Sequence, residues 1–332
     1  MSGTRESKNK YLKYTAIILL FIMIISAALL FLHFWENQQG LFPVQGDDVF
    51  SDSVEYNGQE YELKDNIETL LIMGLDKFGS DINNGAYNND QQADFLMLFV
   101  IDNENSTCKA IQINRDAMTE INVLGVAGEK IGTVNGQIAL SHTYGNGKEV
   151  SCRNTMDAVS NLLLGRKINN YVSVTMDTVP IYNDLVGGVE LTVLDDFTGI
   201  DDTLIKGETV TLTGEHALNY VRDRYGMDDS SNATRMIRQR QYIEALYNKT
   251  LKCIEDDEEF IVETSVKMSD YMLSDCSIEK LQNLLKKISA YDFGGIYTLE
   301  GESVVGEEFI EFYPDEESLK KTVVELFYKP KD

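Results

Sequence analysis

Histidine and cysteine are scarce in this 332-residue chain, and that scarcity removes whole classes of chemistry. The three histidines, His33, His142 and His216, do not cluster, so neither a histidine-activated nucleophile nor a histidine-rich zinc site is signalled. The four cysteines, Cys108, Cys152, Cys253 and Cys276, form no CxxC pair, which argues against structural zinc. Pairing Cys253 with Cys276 would staple a local loop and leave Cys108 with Cys152; four free buried thiols are the alternative. Neither GxxxxGK nor GxGxxG occurs, so no phosphate loop or dinucleotide fold is indicated. Only four prolines and no low-complexity tract argue against long disordered parts. Bases are outnumbered, 29 Lys and Arg against 54 Asp and Glu. The formal charge of −25 makes nucleic acid an unexpected partner.

Hydrophobic residues make up 43% of the chain and aromatics 10%, enough to build a real core. One uninterrupted apolar run stands out, from Thr15 to Leu32, with flanks extending it to Trp35. Its length suits a bilayer core of about 30 Å. Arg5, Lys8, Lys10 and Lys13 precede it, while Glu36, Asp47, Asp48, Asp52 and Glu55 follow with no base before Lys64. The positive-inside rule then predicts a cytoplasmic segment 1–14, a transmembrane helix 15–35 and an extracytoplasmic remainder, so the membrane is an expected partner. A cleaved signal peptide is the alternative, disfavoured by the length of the run and the lack of a clean cleavage site.

Residues 36–64 read as a polar, acidic stem. Leu70–Leu75 and Phe95–Ile101 are continuous apolar strands, the pattern of strands buried on both faces. The first ends at Asp76 and the second is entered through Asp94. A third strand, KAIQIN, ends at Arg115 and Asp116. Helical patterns follow at Val134–His142 and Thr155–Leu164, then a strand at Tyr171–Thr175, a helix at Val179–Val186 and a strand at Val189–Leu194. Leu218–Arg222 reads as extended, and Ser231 or Asn232 caps a helix from near Thr234 to about Ile254. The alternation predicts an α/β domain over 65–252 with a central mixed sheet and helices on its faces. A smaller α+β unit, 253–332, is expected beyond it, with an amphipathic helix at Ser277–Ser289, strands at Gly295–Leu299 and Phe309–Tyr313, and a helix at Glu316–Phe327.

Against this acidic background, five of nine arginines fall within nineteen residues: Arg222, Arg224, Arg235, Arg238 and Arg240. Arginine offers a planar fork of donors that suits phosphate. On a strand, Arg222 and Arg224 would share one face; on a helix, Arg235, Arg238 and Gln239 form one ridge. The alternative is a solvated face pairing with Asp223, Asp228 and Asp229. Asp76 and Asp94, at adjoining strand ends, are hard oxygen donors suited to magnesium, which keeps waters and takes substrate phosphates as further ligands. Two aspartates facing arginines would bind a diphosphate and stabilise charge in phosphoryl transfer.

The ordered segments LLIMGLD, QADFLMLFVID, QINRDAMTEI, NDLVGGVELTV, HALNYVRDRY and TRMIRQRQ resemble the LytR-CpsA-Psr family over about 65–250. The resemblance implies an α/β/α sandwich that transfers a glycopolymer phosphate from a polyprenyl pyrophosphate carrier to peptidoglycan in Gram-positive walls, with magnesium as cofactor. By matching motifs, Asp76 and Asp94 are implied metal ligands. Arg115 and Asp116 match the family's P-R-D motif, Arg222 and Arg224 its VRxR pair, and Arg235, Arg238 and Gln239 its R-x-x-R-Q helix. Lys130 loosely matches the lysine of K-I-N. Gln92 stands where the family has arginine, Asn232 where it has aspartate and Asn114 where it has proline. The first two departures leave open a pyrophosphatase, or a catalytically weakened lipid-pyrophosphate-binding regulatory wall protein. An apolar groove for the prenyl chain is expected, lined by sheet and helix side chains. No role is implied for the C-terminal unit.

Overall fold

A computed structural model of the chain describes residues 52–79, 91–223, 231–306 and 309–331. The expected cytoplasmic segment, the transmembrane helix and the first part of the stem lie outside these residues. Among the described residues, no helix is long and apolar enough to cross a membrane.

In chain order the elements are β1 (Ser53–Tyr56), β2 (Gln59–Leu63), β3 (Ile67–Leu75), β4 (Ala93–Asp102), β5 (Thr107–Ile113), β6 (Met118–Leu124), β7 (Lys130–Gln137) and a 3-10 turn at Ile138–Tyr144. Then follow α1 (Glu149–Leu162), β8 (Asn170–Val174), α2 (Thr178–Leu185), β9 (Val189–Thr192), β10 (Thr209–Leu212), α3 (Gly214–Arg222) and α4 (Asn232–Asp256). The rest comprises α5 (Phe260–Met268), β11 (Met272–Ser274), α6 (Ile278–Ala290), β12 (Asp292–Thr298), β13 (Gly301–Val305), β14 (Ile310–Pro314), α7 (Glu316–Phe327) and β15 (Tyr328–Pro330).

Six strands form the central sheet in the order β11-β8-β3-β4-β5-β12. It is mixed: β3 pairs in parallel with β8 and antiparallel with β4, and β12 joins β5 in parallel. The two continuous apolar runs are its middle strands, and they are apolar throughout because both faces are covered. Leu71, Met73, Leu96 and Leu98 pack with α1 and α7 on one side. Leu70, Met97, Phe99 and Ile101 pack toward α4 and α6 on the other. The expected α/β/α layering is therefore present. A third cluster joins α2, α3 and α4 to the β9–β10 hairpin.

Several expectations change. The segment from 253 does not stand apart, because β11 and β12 are strands of the central sheet and α6 covers its face. The later stem is folded: β1 and β2 form a small antiparallel sheet with β15. The helical pattern at Val134–His142 is instead strand β7 running into a 3-10 turn. Leu218–Arg222 belongs to helix α3, whose buried Ala217, Tyr220 and Val221 recur at helical spacing. Arg222 thus occupies the last helical turn, where a cation complements the helix dipole. The four cysteines are free thiols. Cys108 lies in the cluster on one sheet face and Cys152 in that on the other, so the sheet itself separates them.

Candidate active site

The ends of β3 and β4 build the centre of the site. Along their antiparallel ladder Gly74 pairs with Phe95 but Leu75 pairs with Ala93, so Asp94 is the extra residue of a β-bulge. A bulge re-aims a side chain at the edge of a sheet. Here it places Asp94 beside Phe95 on the wall of a cavity, with Gly74 opposite. A Cβ on Gly74 would lie 3.0 Å from that of Phe95, so glycine gives this corner its room. Asp76 follows directly, its amide donating to Gln92 O at 3.2 Å.

Arg115 leaves the end of β5 and donates to both Asp94 Oδ1 and Gln92 Oε1. Gln92 therefore contributes an acceptor for a guanidinium. Asp116 lies behind, only 6% exposed, with its carboxylate 3.5 Å from Arg115 Nε and accepting from Gln137 Nε2 at 2.9 Å. It does not line the cavity, so its place is to hold Arg115 rather than to face a ligand.

Helix α4 begins at the cap Ser231, whose hydroxyl accepts from Thr234 N. Its first turn aims Arg235 at the same carboxylate, 3.9 Å from Asp94 Oδ2. Asn232 Oδ1 accepts from Arg235 Nε at 3.2 Å and from its terminal nitrogen at 2.7 Å. Asn232 Nδ2 in turn donates to Asn114 Oδ1 at 2.7 Å, and the same oxygen accepts from Asp116 N at 2.9 Å. An amide thus grips the guanidinium with a two-point contact and ties α4 to the loop after β5. From α3, Arg222 approaches Asp76 at 3.9 Å and Asp223 at 4.0 Å. Gln239 lines the cavity too; its Nε2 donates to Val221 O at 3.2 Å and its Oε1 accepts from Gln112 at 3.1 Å.

Behind these polar groups the cavity encloses about 380 Å³. Leu70, Ile72 and Val174 form its floor on the sheet, and Tyr242, Ile243, Leu246, Leu281 and Phe260 form walls from α4, α6 and α5. It is the apolar space expected from sequence. Asp94, Arg222, Arg235 and Gln239 stand on its lining.

Other expected site residues lie elsewhere. Arg238 is fully buried: it donates to Tyr220 O at 2.8 Å and to Asp223 O, pairs with Asp195 at 3.0 Å, and stacks on Phe197 and Tyr220. Its fork closes the carboxyl end of α3 and has no open face for a substrate. Lys130 begins β7, pairs with Glu120 at 3.9 Å and is not part of the cavity lining. Arg224, Asp228 and Asp229 lie outside the described residues. The buttressing by Asn114 and Gln137 was missed; the polar residue before Arg115 was the available signal for the first. His142 is buried against Gln91 O, and burial depresses it to about 4. His216 pairs with Asp201 at 2.6 Å on a separate surface. Burial there acts to raise the acid, but hydrogen bonds from Thr203, His216 and Asn219 hold it at about 2.

The donor chemistry fits a magnesium ion. Among the described residues, three guanidiniums (Arg115, Arg222, Arg235) meet four carboxylates (Asp76, Asp94, Asp116, Asp223). The arginines alone leave no positive surplus for a diphosphate, and two aspartate oxygens at adjoining strand ends are the hard ligands that magnesium takes.

Comparison with known proteins agrees with this architecture. The chain is 29% identical over 182 residues to the polyisoprenyl-teichoic acid–peptidoglycan teichoic acid transferase TagU of Bacillus mycoides (strain KBAB4), covering 54% of this chain and 52% of that protein. The chain thus spans about half the length of the curated relatives it matches. Its fold resembles that of B. subtilis TagV, with a TM-score of 0.57 and 24% identity over 78% of this chain and 96% of that one. It also resembles TagT bound to LI-WTA, with a TM-score of 0.58 and 20% identity over 86% and 97% of the two chains. The family model for the LytR_cpsA_psr family matches residues 45–312, from the late stem through the central sheet and into β14. Sequence and fold agree, and the chain belongs to the LytR_cpsA_psr family.

Proposed function

We propose that this protein is a membrane-anchored, extracytoplasmic phosphotransferase that moves a glycopolymer phosphate from a polyprenyl pyrophosphate carrier to peptidoglycan, with magnesium as cofactor. The observation that carries the reading is the meeting of an apolar cavity with Arg222, Arg235 and Asp94 on its lining, which Asp76 and Arg115 contact from outside it. A prenyl diphosphate has the same two parts, an apolar chain and a polyanionic head. The similarity to proteins named teichoic acid transferases points the same way. The apolar run 15–32 and its charge flanks support the anchor.

In this reading the chain fills the cavity. Arg222 and Arg235 take the phosphate oxygens as charge-assisted forks. Arg115 gathers the Asp94 side of the site and offsets charge that builds on the phosphates during transfer. Asn232 and Asn114 fix the aim of Arg235, and Asp116 with Gln137 fixes Arg115, so the donors are oriented before substrate arrives. Asp76 and Asp94 would hold the magnesium, which neutralises phosphate charge when bound. An acceptor hydroxyl on peptidoglycan attacks the glycan-bearing phosphorus, the bridging P–O bond breaks, and prenyl phosphate leaves with the electron pair while the hydroxyl proton passes to solvent or to that phosphate.

The test is a product assay on the full-length chain with prenyl-diphosphate-linked glycan and magnesium, with and without peptidoglycan. Polymer joined covalently to peptidoglycan is the expected product. Release of free glycan phosphate at the same rate with and without acceptor would make the protein a hydrolase, and binding without cleavage a carrier or regulator.

A further inference from the structure

Beyond Asp76 the chain continues Lys77-Phe78-Gly79, a loop held from both sides. Met176 N donates to Lys77 O at 2.9 Å, and Gly79 N donates to Asp177 Oδ2 at 2.7 Å. Both partners sit in the turn entering α2, where Thr175, Met176 and Thr178 line the cavity. Phe78 is nevertheless 52% exposed and no part of the cavity lining. Its ring centre is 5.4 Å from the guanidinium carbon of Arg222, which itself approaches Asp76 at 3.9 Å. The ring, half in water, contributes little to the core, and its place beside Arg222, rather than its exposure, points to a ligand.

We propose that Phe78 is the platform on which the sugar ring next to the diphosphate stacks. This rests on the functional reading above and gives it a specificity residue. The polarity of the ligand sets the order of its parts. The prenyl chain lies in the cavity, the phosphates lie at Arg222 and Arg235, and the group bonded to the outer phosphate must lie beyond the arginines. Phe78 lies against the Arg222 guanidinium and outside the cavity lining, which fits that position. A pyranose offers a face of C–H groups, slightly positive, to the negative face of an aromatic ring. The 5.4 Å contact with Arg222 does no more than place the ring beside the phosphate-binding guanidinium. A second stretch of prenyl chain is the poorer occupant, because Phe78 is outside the apolar lining.

The experiment compares two ligands on the full-length chain in detergent micelles: a short prenyl diphosphate, and the same lipid carrying one hexose on its terminal phosphate. Wild type should bind the glycosylated lipid more tightly. Phe78→Ala should weaken that binding about three- to tenfold, equivalent to about 0.7–1.4 kcal/mol, while leaving the bare diphosphate within about twofold. Phe78→Trp should restore the preference. Equal loss for both ligands in Phe78→Ala would overturn the proposal, since the ring would then act only through Arg222. Unchanged binding of the glycosylated lipid would overturn it too. Wild type binding neither lipid would instead defeat the underlying reading of the site.

Discussion

Asp94→Asn should move metal-free and metal-dependent binding in opposite directions. The substitution keeps an oxygen for Arg115 and removes one charge. The two side chains are 12% and 15% exposed, so solvent screens their attraction only weakly. A hydrogen bond to a charged group contributes about 1.5–3 kcal/mol against about 1 for a neutral pair, so stability should fall by about 1–2 kcal/mol. For a folded unit of this size that is a drop in melting temperature of about 2–8 °C. Binding is more telling. Arg235 stands 3.9 Å from Asp94 and Arg115 contacts it directly, so both guanidiniums lose one carboxylate neighbour, while Arg115 keeps Asp116. A unit charge at about 4 Å in an effective dielectric near 20 amounts to about 4 kcal/mol before desolvation, most of it offset. Inorganic pyrophosphate should therefore bind Asp94→Asn about tenfold more tightly than wild type in EDTA, and the gain in affinity that magnesium gives wild type should largely vanish. Calorimetric titration under both conditions reads the two effects separately. If the variant binds metal-free pyrophosphate no better and responds to magnesium as wild type does, Asp94 is neither a metal ligand nor a neighbour of the diphosphate.

Arg222 has a side chain 44% exposed and lysine keeps its charge, so Arg222→Lys should leave the melting temperature nearly unchanged. It should cost roughly ten- to a hundredfold in kcat/KM for prenyl diphosphate cleavage, because a point charge cannot replace a two-point fork; normal turnover would refute its role. Arg238→Met should do the reverse, destabilising the fold by about 3–5 kcal/mol in denaturant titrations by stripping Asp195 and the α3 carbonyls of their donor. A stable, inactive Arg238→Met would contradict the buried cap. His142 is held near 4 by burial, below its ordinary 6.5, so between those values the unfolded chain binds more protons than the folded one. Stability should therefore be intact above pH 6.5 and fall by about 3 kcal/mol as pH drops toward 4. His142→Gln should remove that part of the slope, seen by comparing denaturation midpoints of both proteins across this range.

The sequence by itself determined the two middle strands, because a continuous apolar run ending in an acid can be accommodated only where both faces are covered, as in β3 and β4. It also determined α4 through its Ser231 cap and its 3.6-residue stripe, and the family through six ordered motifs. Of its site residues, Asp94, Arg222, Arg235 and Gln239 line one cavity, while Asp76 and Arg115 contact two of these without lining it. What it could not determine depended on partners distant in sequence. Strands β11 and β12 look like parts of a separate unit until their ladders with β8 and β5 exist. The pattern from Val134 to His142 satisfies helical spacing, and only pairing with β6 makes its first half a strand. Leu218–Arg222 reads as extended until α2 and α4 bury one helical stripe of it. The same limit governs the arginines. Arg235 and Arg238 are identical in charge and lie three residues apart, yet one points to Asp94 and the other is sealed beneath α3. Periodicity gives a side chain its face on a helix. Only the neighbouring elements decide whether that face meets a ligand or the core.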